Sequence, residues 1–182
     1  MVVLIRLVVP LLILRWSLAG SILAIVADIL DVVILDFLGV TEFGAYNRVD
    51  KFLDTYFYLI AGYTMFSWGN ERSSSSNERS SSANKFARNI GMFLLGYRLI
   101  GIVIYEFTEI RALLFIFPNV FIFFFMYYII FKKLFKREPF LNWLQALPVM
   151  LVLIALKLGH EYMLHVAQFP IYQWLKDNVL IF

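Results

Sequence analysis

The sequence predicts an all-α integral membrane protein, a bundle of about five transmembrane helices, or six if its first residues also cross. Three observations carry this. Of the 182 residues, 62% are apolar, where an ordinary soluble domain is nearer half. The apolar residues gather into runs of 17 to 24, the length a helix needs to cross the hydrocarbon of a bilayer. The polar residues collect between these runs, and the net charge is only +3. Such a small excess, confined to loops, orients a membrane protein rather than drawing it to nucleic acid.

The elements follow in chain order. Residues 1–14 are apolar apart from Arg6 and Pro10. They are too short to cross comfortably and too apolar for water, so they read as an interfacial or half-inserted helix with Arg6, Arg15 and Trp16 at the headgroups. A sixth, short span is the alternative. Residues 17–40 form the first full span, carrying the small residues Ala19, Gly20, Ala24 and Ala27 that permit close helix approach. Residues 52–68 form the second, closed by Trp68 at an interface. The stretch 69–88 contains an imperfect repeat of Asn-Glu-Arg-Ser-Ser-Ser. Its composition buries no apolar surface, so it reads as a flexible Ser-rich cytoplasmic loop.

Residues 89–107 make the third span, interrupted by Arg98. Residues 112–131 make the fourth, Phe-rich, with Pro118 and Asn119 inside it. That pair is expected to free a carbonyl and to lend an amide to a neighbouring helix. Residues 141–157 make the fifth, bent at Pro148. Gly159 then reads as a breaker, and 159–182 as an amphipathic surface helix broken again at Pro170. Ten basic residues lie at the N-terminus, the Ser-rich loop and 132–138, against five on the opposite side. The positive-inside rule therefore places a multi-pass protein in the cell membrane with its N-terminus and loop 69–88 in the cytoplasm.

The acids are the distinctive polar residues. Asp28, Asp31 and Asp36 lie within the first span, and Asp50 and Asp54 open the second. Carboxylates in a bilayer are costly and are kept with partners. By depth, Asp28 and Arg98 fall near the middle of their spans. Asp31 shares the face of Asp28, three residues on. The expected polar cluster is therefore Asp28, Asp31 and Arg98. Asp36, Asp54, Glu106 and Glu109, joined by Asp50 and Glu42, form an outer acidic rim in which six acids face three bases, Arg48, Lys51 and Arg111. Hard oxygen ligands at helix ends suit a divalent cation or a proton path, and a rim of solvated charges is the plainer reading. With no cysteine, thiol chemistry and thiolate metal sites are excluded. His160 and His165 are five apart, not the four a helical zinc pair needs.

Asp28-x-x-Asp31 followed by Asp50-x-x-x-Asp54 resembles part of the CDP-alcohol phosphatidyltransferase signature. In that family four Asp hold divalent metal and activate an acceptor hydroxyl, and the resemblance implies those roles for Asp28, Asp31, Asp50 and Asp54. The family's Gly after the second Asp is Val32 here, its Ala-Arg pair is Leu35-Asp36, and its Gly before the third Asp is Tyr46. The resemblance covers about 27 residues. The leading functional expectation is an accessory or structural subunit of a membrane complex, held to protein partners and lipids by its apolar faces and its buried Asp/Arg cluster. A carrier coupled to ions or protons through Asp28, Asp31 and Arg98 is one alternative, and a metal-dependent transferase is the other.

Overall fold

The computed structural model describes residues 2–37, 43–68, 78–110 and 112–165, with no strand among them. The chain folds as α1 (Val2–Val8), a 3-10 helix (Val9–Leu14), α2 (Ser17–Phe37), α3 (Phe43–Trp68), α4 (Glu78–Thr108), α5 (Ala112–Ile116), α6 (Val120–Phe135) and α7 (Trp143–His165). Among the described residues one stretch, Ser82–Thr108 in α4, is long and apolar enough to cross a membrane. Val3–Leu14, Ser17–Leu30 and Trp143–Gly159 are shorter apolar stretches.

The N-terminal residues 1–14, expected as an interfacial or half-inserted helix or as a sixth short span, fold back on the next helix: α1 and the 3-10 helix run antiparallel to α2 as the first arm of a tight hairpin, packed on α2 and α3. Seven α-helical residues and six 3-10 residues rise roughly 22 Å, because the 3-10 form climbs faster per residue. Pro10 favours this form: it lies in the first turn of the 3-10 helix, where its missing N–H costs nothing. The hairpin turns at Arg15 and Trp16, whose N–H groups both donate to Leu12 O, at 3.1 and 2.8 Å. Gly20 makes the arms' close approach possible. A Cβ there would collide with the backbone of Leu12 and Ile13. Ile13 and Ser21 are fully buried at this contact.

The core lies between α3, α4 and α6. Phe121, Phe124, Phe125, Tyr128 and Phe140 are all but fully buried. Trp68 stacks on Phe125 and Tyr128 at centroid distances of 5.7 and 5.9 Å. Met65 packs beside Gly91, where a Cβ would meet its sulfur. Rings of this size bury large areas with few rotamers, so the Phe-rich run fixes α6 against its neighbours rather than facing outward throughout.

Three expectations are corrected. The expected loop 69–88 is helical from Glu78 onward: α4 begins there, and Ala83 and Ala87 are buried. The small side chains of Ala83 and Ala87 let α4 lie close to its neighbours here, which composition alone did not reveal. The expected fourth span, 112–131, is broken into α5 and α6 at residues 117–119, because Pro118 supplies no N–H to continue the ladder. Gly159 does not break α7, which continues to His165. Lys157, on α7, is 8% exposed, with its ammonium 5.5 Å from the centroid of the Phe123 ring. The expected break at Pro170 lies outside the described residues.

Candidate functional site

The hairpin lays Arg6 beside the first part of α3. Tyr56 fixes this register by donating to Leu7 O at 3.0 Å. Arg6 is 6% exposed. Its guanidinium is bonded to Asp28 on α2 and to Asp50 on α3, and it donates to Asp54 Oδ1 at 2.8 Å. Tyr58, one turn along α3, donates a long hydrogen bond of 3.4 Å to the other oxygen of Asp54. Among the described residues one planar, always-charged fork thus serves three carboxylates, which suits arginine better than lysine.

Asp28, Asp50 and Asp54 can each offer one carboxylate oxygen such that all three lie within 4.8 Å of one another. Their side chains keep 51%, 39% and 36% of their surface exposed. The cation therefore forms the floor of the cluster and the acids its open rim. Oxygens on opposite sides of a bound Mg²⁺ are about 4 Å apart, and around Ca²⁺ about 5 Å, so this spacing suits a hard divalent cation.

Two expectations change here. Asp28 was paired with Arg98 on equal depth, yet its cation is Arg6. Arg98 instead donates to Phe117 O at 2.6 Å. This is one of the carbonyls released where α5 ends before Pro118; another, Ile116 O, accepts from Tyr97 at 2.8 Å. Counting depth along each run failed because it assigned Arg6 to the surface and treated 112–131 as unbroken. The same counting separated Asp28 from Asp50 and Asp54, and the fold brings them together. Asn119 was expected to lend its amide to a neighbouring helix, and its side chain does meet Tyr58 on α3; its oxygen also caps α6, accepting from Ile122 N at 3.4 Å.

The rest of the expected rim is more dispersed. Glu106 and Glu109 are exposed at the end of α4. They share an end of the bundle with the cluster, since Lys51 sits over the Tyr105 ring at 4.2 Å. Asp31 and Asp36 belong to α2, but their side chains lie outside the described residues, as does that of Arg48; Glu42 and Arg111 lie outside them altogether. Arg6 is the functional residue that sequence reasoning missed. Its signal was available: a lone cation in an apolar run, followed within one hairpin length by Gly20 and Ala24 on a helix that also carries Asp28.

A second polar centre, unforeseen in the sequence, lies at the other end of α6. Tyr128 Oη is 2.6 Å from both Asn84 and Glu138. Lys132 reaches Asn84 at 2.9 Å and Glu138 at 3.1 Å. It ties the first turns of α4 to the end of α6 and the segment that follows, where Lys136 caps the helix at φ 50°. Comparison with protein-family models, with curated proteins and with solved structures finds no match to this chain.

Proposed function

We propose that this is a multi-pass membrane protein whose acidic cluster holds a divalent cation, in chemistry of the CDP-alcohol phosphatidyltransferase kind. The observation that carries the reading is the meeting of Asp28, Asp50 and Asp54 within 4.8 Å. These are three of the four acids that the partial signature singles out, and they come from two different helices. A cation held there would polarise a phosphate ester and lower the pKa of an acceptor hydroxyl. Arg6 shares the same oxygens, so it and a metal ion compete for the cluster. Tyr58 orients Asp54, and the hairpin keeps the floor of the site closed by burying Arg6.

The test is purification in mild detergent, Mn²⁺ titration followed by electron paramagnetic resonance, and an assay for CMP released from a CDP-linked lipid. The expected result is saturable Mn²⁺ binding and metal-dependent CMP release, both lost in Asp54→Asn. Binding that is unchanged in Asp54→Asn would sink the proposal.

One observation favours a second reading. Arg6 bonds all three acids at once, so the cluster can also act as an internal ion-pair lock of an accessory subunit. Buried ion pairs fix arrangement without chemistry in some proteins. That reading expects no metal binding and a membrane protein partner retained through the same purification.

A further inference from the structure

The bundle end opposite the acids carries an open cavity of about 340 Å³. Its wall includes Trp16 and the first turn of α2, Trp68 at the end of α3, and Ile129, Lys132 and Lys133 on α6. Nothing in the reading of the acidic cluster uses it. From Asp54 to Trp68 along α3 is 14 residues, roughly 21 Å of helix.

We propose that this cavity binds the phosphate group of an anionic membrane lipid. The lysines supply the charge. Lys132 is held in place by Asn84 and Glu138, which partly offsets its own charge but fixes where it sits. Lys133, one residue on, is exposed. The first turn of α2 adds backbone N–H groups: Gly20 N is the first of that helix to find a carbonyl, Trp16 O, at 2.7 Å, and the amides before it have no acceptor within the helix. The two tryptophans give the cavity the apolar-and-donor lining found at membrane interfaces.

A lipid fits better than free phosphate because the apolar flank of α2 continues from the cavity. Ile22, Leu23 and Val26 are 45%, 49% and 42% exposed, a surface along which acyl chains can lie. Basic pockets between transmembrane helices recognise acidic headgroups in this way. The inference rests on the membrane reading above but not on the metal site.

The experiment is native mass spectrometry of the detergent-purified chain after exchange into equal amounts of phosphatidylglycerol and phosphatidylcholine, repeated with inorganic phosphate in excess. Retention should favour phosphatidylglycerol, fall about fivefold for each of Lys132→Gln and Lys133→Gln, and resist inorganic phosphate. Lys133→Gln, at an exposed position outside the Asn84–Glu138 network, guards against a folding defect in Lys132→Gln. Equal retention of the two lipids, or a preference that survives both substitutions, would overturn the site. Displacement by inorganic phosphate would overturn the lipid as its occupant. Mn²⁺ binding at the acids should be unchanged in Lys133→Gln, which separates failure here from failure of the metal site. Extraction of the chain from membranes by alkaline carbonate would instead count against the membrane reading, and this site with it.

Discussion

Arg6 and Arg98 each sit in an apolar run, and the fold satisfies them in opposite ways. Around Arg6, three carboxylates from α2 and α3 converge on one guanidinium. Around Arg98 the partner is the Phe117 carbonyl, released by a proline break, while its Nε is buried without a hydrogen bond. The first arrangement binds charge to charge across helices far apart in sequence. The second uses charge to mend a backbone. A buried arginine therefore does not by itself announce an ion pair; what it announces depends on whether the nearest unmet need is an acid or a carbonyl.

The largest expected effect comes from Arg6→Leu. It leaves three acids crowded together without their shared cation. Removing one partner of a buried pair costs about 3–5 kcal/mol, and the low end applies because the acids are a third to a half exposed. Thermal unfolding in detergent should show this as the largest loss in the set. Arg6→Lys should recover only part of it, since a point charge cannot reach all three carboxylates. A melting temperature unchanged in Arg6→Leu would show that the acids do not depend on it.

What the sequence made legible bears on this comparison. The acids that matter, Asp28, Asp50 and Asp54, stood out because each interrupts or opens an apolar run. Their helical setting was equally plain from run length and composition. Their meeting was not, since it depends on how α2 and α3 are offset along the bundle axis, and no local pattern encodes that offset. Arg6 was hidden by a rule about length: a run of 14 residues looks too short to matter, but six of them rise at the 3-10 rate. The fourth apolar run looked continuous because phenylalanine dominates it, and a single missing N–H outweighed that pattern.

Arg98→Leu should cost less, about 1–2 kcal/mol, the loss of a hydrogen bond from a charged donor to a partly buried acceptor. The substitution also removes the unsatisfied Nε, and Tyr97 still holds Ile116 O. Arg98 lies near enough to Asp54 for its charge to act there, and a destabilisation equal to that of Arg6→Leu would show that this acid matters to it as much as the carbonyl does and dissolve the contrast. Asn119→Ala should be smallest, about 0.5–1 kcal/mol for a helix cap, since its bond to Ile122 N is long at 3.4 Å. Thermal unfolding of the three variants in one detergent checks their order.

The hairpin has one more consequence, which follows from chain order. Arg6 and Asp28 lie on its two arms, so both are made before any residue of α3 leaves the ribosome. The first 37 residues thus carry a cation and an acid that neutralise each other within one newly synthesised unit. Asp50 and Asp54 are made afterwards, so the acidic cluster is completed by residues that follow its cation in the chain.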